Sequence, residues 1–233
     1  MNLWKFQKPT GLTTVFWLAN LLFALVLCLV LWFSYLQHLN HARERAANTS
    51  LTLERSLSGM LDQIDMMLIS VQDELERGSL QGKIESRKVD AIIARLASHV
   101  RGINVVRYAD AAAQADAGTG YPAGSPANNY WDRDYFQYLR EHPDAGMINS
   151  QPLLGRTSGR WGIVFARAYH DPGGKFAGVV LASIDLEQFS GMFAALQLGE
   201  RSRVTFIDRD YRVLVTDPVP KDPSWMGHRL MHE

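Results

Sequence analysis

A single cysteine, Cys28, in 233 residues means that no intramolecular disulfide and no multi-thiolate metal site can form within this chain. Excess charge of either sign is also missing. Lys plus Arg and Asp plus Glu balance at 24 each, which removes the electrostatic footprint of a nucleic-acid binder. The usual catalytic spacings are absent as well. Gly155 to Gly159 places Ser158 in G-x-x-S-G rather than in the nucleophile-elbow order G-x-S-x-G, and no histidine stands nearby as a base. His228 and His232 are four apart but lack the Glu of a zinc-protease helix. No glycine-rich phosphate loop follows a strand. The sequence therefore predicts no active site, no metal and no cofactor in this chain. Apolar residues make up 47% of it, enough for a sizeable core, so it is not a disordered protein.

From Pro9 to Gln37 there is no Asp, Glu, Lys, Arg or His. Leu12 to Leu36 is dominated by Leu, Val, Phe and Trp and exceeds the roughly 20 residues that cross a bilayer as helix. A transmembrane helix is expected at 12–36, after a short N-terminus at 1–11. The competing reading, a cleaved signal peptide, fits poorly, because its apolar region is typically only about 7–15 residues long. No A-x-A-like site closes the run. For orientation, Lys5 and Lys8 precede the run while Arg43, Arg45 and Arg55 follow it, so a bare count does not decide. The short, unopposed basic N-terminus favours the cytoplasm for that end. The remainder would then lie in the periplasm or outside the cell, anchored singly in the inner membrane.

Beyond the run, Leu53, Leu57, Met60, Leu61, Ile64, Met67, Leu68, Val71 and Leu75 recur at helical spacing. They predict a long amphipathic helix over 37–78, broken at Gly78-Ser79, whose apolar face suits a core or a parallel pair across a homodimer. Val89, Ile92, Ile93, Leu96 and Val100 mark a second helix. A strand is expected from Ile103 to Tyr108, and a hairpin connection followed by a loop over 109–127. A short helix should run from Asp132 to Glu141 and an extended segment from Met147 to Ser150. Trp161 to Tyr169 and Phe176 to Asp185 are the strongest hairpin in the sequence, since Asp171-Pro172-Gly173-Gly174 supplies the turn dihedrals between two β-rich runs. Leu186 to Leu196 returns to helical spacing. Arg203 to Asp208 and Tyr211 to Thr216 form a last hairpin, expected to lack a helix or further strands for a core of its own. The predicted class is α+β with a central antiparallel sheet: one module over 79–197 and the beginning of an incomplete second one over 198–233.

Candidate ligand groups concentrate between Asn129 and Asp185. Asn129-Tyr130-Trp131-Asp132-Arg133-Asp134-Tyr135-Phe136 sets charged groups among aromatics. In Gly155-Arg156-Thr157-Ser158-Gly159-Arg160-Trp161, glycines let a ligand approach the backbone, and guanidinium forks and hydroxyls offer donors. Arg167 lies on the following strand, and Asp185 ends the one after it. The candidate contacts are Arg133, Tyr135, Phe136, Arg156, Ser158, Trp161, Arg167 and Asp185. Several have a plainer reading. Arg133 pairs on a helix surface with Glu141 or a neighbouring Asp; Arg156 and Arg167 face solvent; Asp185 caps the helix starting at Leu186; Trp131 and Trp161 belong to the core.

Leu51 to Pro218 resembles the extracytoplasmic double Cache (PDC-type, PAS-like) sensor domains of bacterial receptors, most nearly those of diguanylate cyclases. The matching pieces are the long helix after a span, Asp-Arg-Asp-Tyr-Phe at 132–136, Gly-Arg-Thr-Ser-Gly-Arg-Trp at 155–161 and Gly-Val-Val-Leu-Ala-Ser-Ile-Asp at 178–185. The resemblance implies a membrane-distal PAS-like module that holds a small ligand, a membrane-proximal module begun by the hairpin at 203–216, then a second span and a cytoplasmic output domain. Within the amino-acid-binding branch, Arg133, Tyr135 and Phe136 are similar to the element that grips the ligand carboxylate, and Asp185 to the carboxylate for the ligand amine. Asp171 and Gly174 fit that branch's D-x-x-G turn. The chain departs from it at Leu153-Leu154, where a tyrosine is usual, and at Phe136, which lacks a hydroxyl. The implied function is a membrane-anchored sensor of a small polar metabolite, anionic or amino-acid-like, with a diguanylate cyclase output and cyclic di-GMP signalling. A histidine kinase or chemoreceptor output, or a ligand-free dimerisation module, is the alternative. An effector that shifts the long helices by about 1–3 kcal/mol of coupling is sufficient to signal.

The uncharged run generates a test of topology. Alkaline phosphatase fused after Ser50 or after Glu233 is expected to be active, whereas a cytoplasmic reporter active at both positions would reverse the assignment.

Overall fold

The computed structural model describes residues 11–100, 102–118, 129–156, 158–194, 203–208, 210–218, 220, 222–225 and 228–229. The chain divides into two units, Met1–Arg55 and Ser56–Glu233. In the first, Thr14–Tyr35 has a mean hydropathy of 2.5 and none of its residues is buried within the protein, so it is a helix long and apolar enough to cross a membrane. It is part of helix α1, Gly11–Leu80.

In the second unit the end of α1 buries Leu57, Ile64, Met67, Leu68, Val71 and Leu75, the stripe that the helical spacing predicts. The helix stops two residues later than Gly78-Ser79 suggests. The left-handed residue is Gly82 (φ +75), and Gly82 N–H to Ser79 O (3.0 Å) with Lys83 N–H to Gly78 O (3.0 Å) close the last turn as a Schellman cap. Gly78 serves differently: the chain folds back beside it, and a Cβ there would lie 3.2 Å from Ile84 Cα. Helix α2 (Ser86–Ala97) buries Val89 and Ile93 and is tied to α1 by Lys88 Nζ to Glu74 at 2.6 Å.

Strands β1 (Ile103–Asp110), β2 (Ala115–Gly118), β3 (Ile148–Asn149), β4 (Leu153–Leu154), β5 (Trp161–His170) and β6 (Phe176–Asp185) form one antiparallel sheet in the order β2-β1-β6-β5-β3, with β4 also on β5. The central strands are apolar on both sides because both faces are covered. One face presents Ala109, Val164, Ala166, Ala168, Val179 and Leu181 to Tyr135, Phe136 and Leu139 of α3 (Asp134–Glu141). On the other, Arg167 reaches Asp65 and Gln72 of α1. Register then assigns faces: Arg107 opposes Leu181, Ser183 opposes Val164 and Asp185 opposes Gly162. Arg107, Ser183 and Asp185 thus lie on the α3 face.

The sequence boundaries hold within a residue or two for β1, β5 and β6, and the strand β2 lies within the predicted hairpin connection; residues 119–128 of the expected loop fall outside the described residues. Helix α3 begins at Asp134 rather than Asp132. Trp131 N–H donates to Asn129 Oδ1 at 2.8 Å and Arg133 N–H to Tyr130 O at 2.9 Å, a turn that leaves Arg133 extended (φ −83, ψ 133) before the helix. Helix α4 (Leu186–Ala194) follows β6 directly, the expected residues 195 and 196 falling outside the described residues. The last hairpin, β7 (Val204–Ile207) and β8 (Val213–Asp217), does find packing partners, contrary to the sequence expectation. Phe189 of α4 stacks on Phe206 with centroids 6.1 Å apart, and Val213, Leu214 and Val215 are buried. Phe189 was legible as an apolar residue but not as the link between the two hairpins.

Gly178 sits where β6 is flanked closely on both sides. A Cβ there would come within 2.1 Å of Ala109 O and 2.7 Å of the Tyr169 hydroxyl, and its φ is +154. Gly178→Ala is expected to lower Tm by roughly 4–10 °C, the effect of about 1–3 kcal/mol of overpacking in a domain of this size. Gly191→Ala, in open space on α4, is the control and should leave Tm unchanged or higher; equal melting of the two variants would refute the crowding.

Candidate functional site

On the α3 face the segment before the helix is held from two sides. Asn129 Nδ2 donates to Ala112 O (3.2 Å) and Tyr130 N–H to Ala113 O (2.9 Å), anchoring it to the β1–β2 turn. From the other side, Arg156 Nη1 donates to Asn129 O, and its Nη2 pairs with the Asp132 carboxylate. Arg133 Nη2 donates to Leu154 O at 3.3 Å. Three of the residues singled out by sequence, Arg133, Arg156 and Tyr135, therefore meet around the entry to α3.

The loop between β4 and β5 is closed by Gly155 N–H to Arg160 O (2.8 Å) and Gly159 N–H to Gly155 O (2.9 Å), with Gly159 at φ +64. Ser158 is exposed, and its Oγ accepts from Arg160 N–H at 3.2 Å. A Cβ on Gly155 would lie 2.3 Å from that oxygen, so glycine is what lets the loop close over the hydroxyl. The two ends of the loop carry guanidinium groups in different directions, Arg156 to Asp132 and Arg160 to Asp185. Asp185 is 4% exposed, and Arg160 Nη1 lies 3.2 Å from its Oδ2. Trp161 opens β5 opposite Leu154 and is 41% exposed.

Tyr135 is buried, with its ring 6.3 Å from Tyr130. Burial pushes its phenol well above the ordinary tyrosine range, Tyr130 and Asp134 add to this, and the charges of Arg133 and Arg156 oppose it. It is thus a neutral hydroxyl at every physiological pH. Phe136 is fully buried, edge-on to Phe176 at 5.6 Å and 6.2 Å from Trp131, within the core beneath the segment. Trp131 itself is half exposed with Arg140 over its ring at 4.3 Å, so the core reading of that tryptophan gives way to a surface cation–π stack.

Arg167 stands apart from these residues. It lies on the opposite face, 2.6 Å from Asp65 and 3.1 Å from Gln72 of α1. His170 does likewise, its backbone N–H and Nδ1 each 3.0 Å from Glu76 Oε1. Sequence reasoning passed over Arg160 as an individual residue and Arg107 altogether. Arg160 was visible inside the glycine loop. Arg107, only 7% exposed, is placed on the site face by its register with Leu181, which no linear pattern discloses. Among the described residues there is no cluster of His, Cys, Asp and Glu that could hold a metal ion.

A helix-flanked antiparallel sheet with its polar groups gathered at one end of the α3 face has known counterparts. The Cache domain family model matches residues 35–227. The chain belongs to the Cache domain family. Similar solved structures include the extracellular domain of rpHK1S-Z16, assigned as a histidine kinase (26% identity, TM-score 0.62, covering 75% of this chain and 68% of that one). The sensor domain of the histidine kinase DctB of V. cholerae is similar at 18% identity and TM-score 0.56, covering 86% and 73%. So is the ligand-binding domain of the Pseudomonas aeruginosa amino acid chemoreceptor PctC, in complex with GABA (13%, 0.56, 74% and 73%). No curated protein sequence matches the chain significantly. These Cache relatives are sensor and ligand-binding domains of receptors, and the present chain has their fold and class.

In this Cache domain the Arg156 bond holds the exposed Asp132 carboxyl below its ordinary range, with Arg133 a lesser contributor. A depressed carboxyl contributes stability that is present above its unfolded value and is lost as pH falls through the lowered folded one; screening keeps it small here. Arg156→Ala should move the Asp132 pKa upward in an NMR titration, and an unmoved value would show that the pair does not persist in solution.

Proposed function

We propose that this chain is the membrane-anchored, extracytoplasmic ligand-sensing domain of a bacterial receptor, and that it binds a small polar metabolite through an anionic group. The observation that carries the reading is Arg133. The residue is half-buried and its charge acts on the Tyr135 phenol, and among the described residues its guanidinium has one acceptor, a neutral carbonyl at 3.3 Å, and no carboxylate partner. A guanidinium in that position favours a bidentate anion. Tyr135, Arg156, Ser158 and Asp185 complete the proposed surroundings, whereas the register of β5 puts Trp161 on the α1 face with Arg167. Phe136 supports them from the core, and Arg167 carries the bound state to α1 rather than touching the ligand.

In this reading residues 12–36 span the inner membrane, 37–78 form the signalling helix, 79–197 the membrane-distal sensor module in the periplasm, and 198–233 the start of a membrane-proximal one. The resemblance to double Cache receptors favours a diguanylate cyclase output, with a histidine kinase or chemoreceptor as alternatives; ligand-dependent cyclic di-GMP in cells carrying the full receptor distinguishes the first. In a screen of small organic and amino acids by thermal shift, a ligand should emerge. Arg133→Ala should then abolish its binding while leaving the unliganded Tm nearly unchanged. Normal binding by the variant, or unfolding several degrees earlier without ligand, would make Arg133 structural.

A homodimer through α1 belongs to the same proposal. Met66 is 64% exposed on the helix whose neighbours are core, and it lines a groove of about 410 Å³ with Asp62, Ser70, Leu96 and Val100. That face suits a second copy of the helix, and a ligand-free dimerisation module would use it equally. Cysteines placed along 58–73 in a Cys28→Ser background should crosslink with helical periodicity peaking near Met66, and crosslinking without a preferred face would refute the pairing.

A further inference from the structure

Every carboxylate at the site already has a partner within the chain. Asp132 pairs with Arg156. Asp134 accepts from Tyr135 N–H at 2.7 Å and, more loosely, from Gln151 N–H at 3.4 Å. Asp185, the one buried carboxylate, is paired with Arg160 at 3.2 Å. Asp132 and Asp185 therefore carry a guanidinium and Asp134 only amide N–H groups, and Arg133 likewise bonds only a neutral carbonyl among the described residues. The buried carboxylate, Asp185, thus already has its cation, while among the described residues no carboxylate is in hydrogen-bond contact with Arg133.

We propose that the ligand is a small carboxylic acid without an ammonium group, and that Arg160 supplies to Asp185 the cation that an amino acid would otherwise bring. This rests on the reading that the site binds a small anion. A carboxylate entering beside Arg133 gains a charge-assisted pair and breaks none. An ammonium group entering with it has two courses. If Arg160 stays, the ammonium finds the buried Asp185 already paired. Of the other carboxylates only the exposed Asp134 is without a guanidinium, and its oxygens already hold two amide N–H groups, so the ammonium gains little for the water it loses. If it displaces Arg160, one carboxylate–cation pair replaces another, and the new cation has still been stripped of its water. Either course penalises the amine. The reach of Arg160 from a loop whose closure depends on Gly155 and Gly159 makes this a property of the loop, not of the sheet beneath it.

The test uses the full chain in lipid nanodiscs, with calorimetry on matched pairs: L-lactate against L-alanine, succinate and L-malate against L-aspartate, butyrate against 4-aminobutyrate. At least one amine-free acid should bind, and bind at least about tenfold more tightly than its amino counterpart, the factor expected from about 1.4 kcal/mol. Arg160→Gln should free Asp185 and shift that ratio toward the amino compound by tenfold or more, while Arg160→Lys, which keeps the cation, should retain the original preference. An amino acid that binds the unmodified chain as tightly as its acid overturns the inference; if Arg133→Ala abolishes that binding, the anion reading itself stands. An unchanged ratio in a folded Arg160→Gln variant overturns the role of Arg160. Binding of no compound from either set overturns the anion reading and this inference together.

Discussion

The sheet can carry a polar site on one face only because the other face is sealed by α1. Ile64, Leu68, Val71 and Leu75 are fully buried there, and burying such side chains is worth roughly 1.5–3 kcal/mol each. The apolar stripe is non-directional and would tolerate sliding. Polar contacts along the same helix are directional: Asp65 and Gln72 to Arg167, and Glu76 to His170. They index α1 against β5, the strand that directly follows Arg160 and its pairing with Asp185. A rotation of α1 would have to break these contacts or take β5 with it.

The opposite face is built from small residues, Ala109, Ala166, Ala168 and Gly162, beneath large ones, Tyr135, Phe136 and Leu139. Small strand residues let the α3 segment descend onto the sheet, and the two loops that flank it are stapled by guanidinium groups. Arg133, Arg156 and Arg160 each join segments far apart in the chain. Arginine suits this use because its planar fork reaches two acceptors at once. In the proposed reading, the charge pattern left after those staples form decides what the site accepts.

The hairpins share one device. Asp110, Asp171 and Asp208 each accept, through Oδ1, the N–H groups two and four residues on, at 2.8–3.0 Å. An aspartate at the start of a four-residue connection substitutes for the backbone in closing it. The same chemistry ending β1, β5 and β7 supports reading the last hairpin as the opening of a second, similar module.

Much of this was decided locally and so was readable in order. The uncharged apolar run, the helical stripe from Leu57 to Leu75, and the Asp171-Pro172-Gly173-Gly174 hairpin each depend on side-chain period or turn dihedrals within a few residues. So did the concentration of candidate groups between Asn129 and Asp185. What depended on register and on contact across more than twenty residues was not readable. Arg167 shares a strand with Gly162 and Ala166, yet the alternation of the sheet sends it, like Trp161, to the α1 face while Asp185 and Arg107 turn toward α3. Likewise Asp185 read as a cap or a ligand group, and its pairing with Arg160 required the β4–β5 loop to be folded before it existed. The sequence determined which groups the site contains; the tertiary structure decided which of them remain uncompensated, because ion pairing is settled by proximity in space.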